Sequence, residues 1–411
     1  MRDLECENVV RIASREANLK RKLRSHLKSL GFHKAEDGSL VIEGTGKDII
    51  RSLHRSQRGE RLRGNQRFIE EKAAGLLRHF ATGAEVQPDK VSPVLERVHA
   101  GTWQGDLFRL ASLTWSVPVS NGFGRRLRYI VWDASNQKII GLLAIGDPVF
   151  NLSVRDKLIG WDSKDRTERL VNIMDAYVLG AVPPYNMLLG GKLVACLLKS
   201  RDLYDDFATV YGGTTGIISQ KAKNARLLAV TTSSSMGRSS VYNRLQLDGN
   251  SHLDPIGYTG GWGHFHIPDR LFLELRDYLR DVGHSYADLH RYGQGPNWRM
   301  RTTRAALDAL GFKADMLRHG IQRQVFITFL ASNAAEILQT GDGVPDTSGL
   351  ANVEDIGSLA RDRWLVPRAE RRQEYQAWEV ADLAELFGSQ RAKMRTASSV
   401  HADTLFASAK G

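Results

Sequence analysis

"DAYVLGAVPPYNMLLGGKLVACLLKS", residues 175–200, is the stretch on which the fold turns. A β-like run led by Asp175 reaches Gly180, Pro183 and Pro184 break the chain, and Gly190 with Gly191 open a new segment. That segment, "GKLVACLLKS", is too long and too leucine-rich for a strand, so it reads as a mostly buried helix. Backbone N–H groups at a helix start are unsatisfied and carry partial positive charge. A strand, loop and helix with glycine at the approach point therefore suit a pyrophosphate. The spacing in "LLGGKLV" is not that of a Walker loop, and the same letters also make a packing turn. Gly190, Gly191 and Lys192 are thus candidate cofactor-binding residues, with the turn as the alternative.

Working outward, "LRYIVWDASNQKIIGLLAIGD" (residues 127–147) gives two runs rich in Ile, Val and Tyr around the polar turn Ala134 to Lys138, the pattern of a hairpin. Further strands are expected at "NIMDAYVLG", "RLLAVTTSS" and, late in the chain, "RQVFITFL". Strand, loop, helix, strand is the order of a mixed α/β core. Helices are expected from Pro268 to about Gly283 and from Thr302 to Leu310, with one more capped by Ser332 or Asn333. "TGDGVPDTSG" (residues 340–349) has linker composition. The chain divides on this reading into a basic helical domain (1–90), an α/β core (91–270), a helix and strand extension (271–340) and an arginine-rich C-terminal tail (341–411).

The 411 residues are 42% hydrophobic and 25% charged, enough for a full core, and no apolar window reaches the roughly 18 residues of a membrane helix. The N-terminus lacks the order of a signal peptide, so a cytoplasmic protein with no membrane partner is expected. Cys6 and Cys196 are far apart and read as plain thiols. A net charge of +11 favours phosphate-bearing partners, nucleic acid first. Leu19, Leu23, Leu27 and Leu30 recur at helical spacing beneath Lys20, Arg21, Lys22, Arg24 and Lys28. "RSLHRSQRGERLRGNQR" (residues 51–67) follows, arginine-rich in a way that solubility alone does not require, since the guanidinium fork pairs with phosphates. Arg58, Arg61 and Arg63 are candidate nucleic-acid contacts, the alternative being a solvated cationic face. Trp298 with Arg299 and Arg301 combines a stacking ring with phosphate-pairing groups, or else starts a solvated helix.

Asp133 and Asp147 end the two predicted hairpin strands, Asp156 and Asp162 follow in "VRDKLIGWD", and Asp175 lies on the next predicted strand. Such carboxylates can hold two divalent ions about 4 Å apart for phosphodiester cleavage, and they also commonly cap backbone N–H groups. Asp133 and Asp175 are the candidates for the metal reading. His264 and His266 in "GHFHI" would face one side of a strand, but no third ligand is evident, so no metal site is assigned.

"LTWSVPVSNGFGRRLRYIVWDASNQKIIGLLAIGDPVFNLSVRDKLIGWD" (residues 113–162), followed by "DAYVLGAVPPYNMLLGGKLVA", resembles the DruA family of the Druantia anti-phage defence systems, a domain of unknown function also met beside transposable elements. The resemblance is densest from Phe108 to about Leu247 and implies a part in defence or mobile-element biology. The same region resembles the core of the GNAT acyltransferases and their relatives that modify DNA bases. There a hairpin and a splayed strand lead into a loop of pattern [QR]-x-x-G-x-[GA] at a helix start, then a strand and a helix bearing a tyrosine. That resemblance implies a CoA-like, phosphate-bearing donor at Met187 to Lys192 and a proton-donating Tyr242. The loop departs from the pattern at Met187 and Lys192. The expected fold is therefore a mixed α/β, GNAT-like central sheet flanked by basic helical regions. Three functions are open: a nucleobase or protein transferase, a metal-dependent nuclease or transposase, and a non-catalytic DNA-binding subunit. Partners would be nucleic acid, DNA before RNA, and other defence-system or mobile-element proteins.

Overall fold

The computed structural model describes residues 2–36, 39–42, 47–120, 124–215, 222–223, 225–288, 298–312 and 314–388. The chain divides into two compact units, each discontinuous in sequence. One comprises Met1–Glu60, Ser235–Gly237 and Tyr258–Arg323; the other comprises Arg61–Ser234, Arg238–Gly257 and Gln324–Gly411.

The second unit is built on a seven-stranded mixed sheet, and the α/β class expected above is the one observed. Its strands are β1 (Pro93–Arg97), β2 (Arg126–Asp133), β3 (Lys138–Gly146), β4 (Ile173–Ala181), β5 (Ala229–Ser233), β6 (Asp254–Tyr258) and β7 (Gln324–Phe329), in the order β6-β7-β5-β4-β3-β2-β1. In β3 every residue after Lys138 is buried, which is why "KIIGLLAIG" is continuously apolar rather than alternating: helices cover both sides of it. Ile140, Leu143 and Ile145 lie in one core cluster, Ile139, Leu142 and Ala144 in another. The predicted β2–β3 hairpin is present, closing at Asp133 opposite Lys138, with Gln137 in the left-handed conformation at φ 59°.

β4 is antiparallel to β3 and parallel to β5, whereas β5 is antiparallel to β7. The parallel contact is short: Ile173 faces Ala229, Met174 faces Val230 and Asp175 faces Thr231, and the pairing stops there. β4 continues six residues further, to Ala181. The helix predicted after Gly190 runs from Gly190 to Cys196 and tightens into a 3-10 turn over Leu197–Lys199; its residues Leu193 to Cys196 are buried. Ile356, Ala360, Trp364, Leu365 and Tyr375 join the same cluster, and Trp378, Leu383 and Phe387 join the other. The arginine-rich stretch through residue 388 therefore belongs to the core of this unit, because its tryptophans and leucines supply apolar area that its arginines conceal in a composition count.

The first unit packs the predicted basic amphipathic helix, Arg2–Ser29, by Leu19, Leu23 and Leu27 against Leu271, Phe272, Leu275 and Leu279 of the Asp269–Asp281 helix. The Lys47–Gly64 helix contributes Ile50 and Leu53, and the Trp298–Ala309 helix contributes Ala306 and Leu307. His54, His266 and His319 are buried in this unit. Desolvation is the first cause that pushes His54 and His266 down to about 4 and His319 down to about 3, from 6.5. Between those values and 6.5 the unfolded chain binds more protons than the native one, so stability rises with pH. The contribution is complete above pH 6.5 and is lost as the pH falls toward 4, on the order of 1–3 kcal/mol per histidine. Thermal melts taken from pH 7.5 to 4.5 should show an early transition moving steeply down below pH 6.5; a flat profile would contradict the burial.

Candidate functional site at the β4–β5 opening

Where β4 and β5 part, the edge of β4 takes side-chain hydroxyls in place of a strand. Thr232 Oγ1 donates to the Ala176 carbonyl at 2.9 Å, and the Tyr242 hydroxyl donates to the Leu179 carbonyl at 2.9 Å. Tyr242 lies on a turn, not on the helix expected for it, with its backbone N–H held by Ser239 Oγ at 3.0 Å and its ring edge-on to Phe326 at 5.5 Å. The reason is local: "SSSMGRSSVY" is rich in serine, which bonds nearby backbone in turn geometry. Burial raises the Tyr242 pKa, so the phenol keeps its proton at neutral pH.

The predicted glycine pair reaches this opening, and its two members differ. At Gly190 a Cβ would meet the Tyr185 carbonyl oxygen at 2.7 Å, and the Gly190 N–H already donates to that oxygen at 2.8 Å. Gly190 is therefore required by the turn. At Gly191 a Cβ would find only ordinary contacts, Val241 Cγ1 at 3.7 Å and the Ala181 nitrogen at 3.9 Å. Gly191 thus faces the end of β4 and the segment that carries Tyr242. Lys192, whose pKa is lowered by burial and then by Arg363, has its amine 5.3 Å from the Trp364 ring. Arg368 Nε donates to the Met187 carbonyl at 3.2 Å. Arg363 and Arg368 are functional candidates that local sequence reading missed; the signal was "RDRWLVPRAERR", whose apolar letters mark it as a segment that packs.

Asp175 lies at the last position of β4 that pairs with β5. It accepts from Thr231 Oγ1 at 2.8 Å, and desolvation pushes its pKa up to about 6 against the Thr231 hydrogen bond and the charge of Arg155. Two residues on, the Tyr177 hydroxyl is buried with no hydrogen-bond partner among the described residues. Asp133, the other acidic candidate, is elsewhere. Lys138 faces Asp133 and Gly146 faces Asp175, so nearly the whole of β3 separates them, roughly 25 Å at about 3.3 Å per residue. Strand register keeps the pair from sharing two ions about 4 Å apart. Asp133 is saturated as a turn cap: it accepts from the N–H groups of Ser92 and Ser135, from Ser135 Oγ at 2.7 Å and from the Tyr185 hydroxyl at 2.8 Å. Asp162 caps the Ser163–Arg169 helix, Asp147 pairs with Arg125, and Asp156 is held by Arg155 and Arg166.

The candidate nucleic-acid residues divide by exposure. Arg63 is exposed on the Lys47–Gly64 helix, whereas Arg58 and Arg61 are half-buried, and Arg61 donates to the Val119 carbonyl. Trp298 is half-buried, its ring edge-on to Phe272 at 5.2 Å and packed against the apolar cluster of the first unit. Arg299 pairs with Asp269 and donates to the Ile267 carbonyl; Arg301 is exposed. His266 bonds the Met316 carbonyl through Nε2 at 3.0 Å. No described helix is long and apolar enough to cross a membrane.

The family profile of Druantia protein DruA matches residues 44–340. The chain is also similar to the Druantia protein DruA of Escherichia coli (strain UMEA 4076-1), 65% identical over 385 residues that cover 94% of this chain and 95% of that protein. No solved structure matches the chain.

Proposed function

The chain belongs to the Druantia DruA family, and from that membership we propose that it serves anti-phage defence as a nucleic-acid-associated transferase with a GNAT-like core. The observation that carries the transferase reading is the β4–β5 opening, where pairing stops at Asp175 and Thr231 while β4 runs on to Ala181. An extended donor arm would lie along that edge in the manner of an added strand. Gly191 and the cations Lys192, Arg363 and Arg368 at its far end suit the donor's phosphates. Tyr242 is the proton donor for the leaving group, and Asp175, titrating about 6, is a base able to take the acceptor's proton. The separation of Asp133 from Asp175 counts against the two-metal alternative.

Mass spectrometry of small molecules released from the purified protein, with melting curves in added acetyl-CoA, tests the donor site. A retained or stabilising phosphate-bearing molecule is expected; the absence of both would overturn the transferase reading. The glycines sharpen it. Gly190→Ala should destabilise by about 1–3 kcal/mol through overpacking against Tyr185. Gly191→Val should fold yet lose donor retention, and unchanged retention in the folded variant removes the cradle.

Nucleic-acid association rests on the net charge of +11 and the arginines of the Lys47–Gly64 helix. Neutralising five or more phosphates gives a slope of log affinity against log salt of about −4 or steeper on duplex DNA. A flat salt response would remove this part of the proposal.

A further inference from the structure

Among the aromatic side chains that the first unit leaves exposed, with Tyr258 and Tyr286, is the indole of Trp262, in "GGWG". Its backbone is fixed: Trp262 bridges Arg318 in antiparallel fashion, the Gly263 N–H donates to the Leu317 carbonyl at 2.8 Å, and the Gly320 N–H donates to the Gly261 carbonyl at 3.0 Å. Gly261 is left-handed at φ +64°, and a Cβ there would lie 2.8 Å from the Gly320 carbonyl carbon, so only glycine permits this approach. The loop is thus held rigidly, yet the indole is 44% exposed.

One guanidinium lies over the ring and a second arginine pairs with the Trp262 backbone. Residues opposite each other in an antiparallel pair project to the same side, which sets Arg318 beside Trp262. The Arg304 guanidinium lies over the indole, 5.8 Å from its centroid. Arg301 is three residues earlier in the Trp298–Ala309 helix and shares the face of Arg304. Arg301, Arg304 and Arg318 are exposed, and none has an acidic partner among the described residues. An exposed tryptophan has no structural need of such arginine neighbours, and like charges repel one another.

We propose that Trp262, with Arg301, Arg304 and Arg318, is a base-stacking platform for single-stranded nucleic acid. Every base offers a π-face to the open side of the indole, while the guanidinium forks take the adjoining phosphates. A duplex keeps its base faces stacked inside and would meet only the cations. This inference rests on the nucleic-acid reading above and narrows it to a strand type and a contact.

The test uses the full chain and the fluorescence anisotropy of labelled thirty-residue dT, thirty-residue U and a thirty-pair DNA duplex. Trp262→Ala should weaken single-strand affinity roughly 5- to 100-fold, the loss of one stacked base, with duplex affinity unchanged; Trp262→Phe should recover most of it. Equal losses on dT and U identify a strand reader indifferent to sugar, and a loss on one alone identifies which strand is used. Arg304→Ala with Arg318→Ala should also flatten the salt dependence. Wild-type affinity for both strands in Trp262→Ala overturns the platform while leaving the nucleic-acid reading intact; a wild-type chain that binds none of the three probes overturns both. Photocrosslinking of 5-iodouracil-substituted dT to the wild-type chain removes dependence on variant folding: adducts within residues 259–263 are expected, and adducts confined elsewhere refute the assignment.

Discussion

Tyr242→Phe is expected to abolish most phage protection while leaving the fold in place. The substitution deletes one hydroxyl and keeps the ring against Phe326. Loss of a general acid slows a reaction by about 10² to 10⁴. The structural cost is small, since the hydroxyl donates to the Leu179 carbonyl and a neutral hydrogen bond contributes about 1 kcal/mol, a few degrees of melting temperature at this size. Plating phage on cells that carry the complete system, with melts of the purified variant, separates the two effects. Asp175→Asn removes the base and should also lose protection, whereas Asp133→Asn removes only a turn cap and should act through stability. Full protection by folded Tyr242→Phe and Asp175→Asn proteins would leave the DNA-binding subunit as the function.

The largest effect on stability is expected at Asp156. Its carboxylate accepts from Arg155 Nε at 2.9 Å and Nη2 at 2.7 Å and from Arg166 Nη1 at 2.9 Å, while the Arg155 side chain is fully buried. Arg155 also donates to the carbonyls of Val149 and Phe150, which fixes the chain between β3 and the Ser153–Ile159 helix. Asp156→Asn keeps the shape but leaves a buried guanidinium without its counterion, a change that destabilises by about 3–5 kcal/mol. For a unit of this size that is roughly 6–20 °C in melting temperature. An unchanged melt would mean that Asp175 or water compensates the guanidinium charge and that Asp156 is free for another role.

The elements were legible because their causes are local. Alternating and continuous apolar runs mark β2, β3, β4, β5 and β7, the polar turn marks the hairpin, and leucines at helical spacing mark the Arg2–Ser29 helix. Residues 175–200 also give the strand, the proline break and the helix start from their letters alone. What the letters could not give is which distant segments meet. Trp298 and Trp262 look alike as tryptophans beside arginine or glycine, yet one is packed on Phe272 and the other is held in solvent, because burial is decided by helices far away in the chain. Asp133 ends β2 and Asp175 lies near the start of β4, but the antiparallel register sets them beside opposite ends of β3. Gly191, Tyr242 and Arg368 are separated by tens of residues in sequence, and only the closing of the core from both directions brings Ala181, Val241 and Met187 beside them. Periodicity and turn chemistry act over a few residues and so can be read along the chain; register and long-range apolar packing act across it, and they alone determine which side chains share a site.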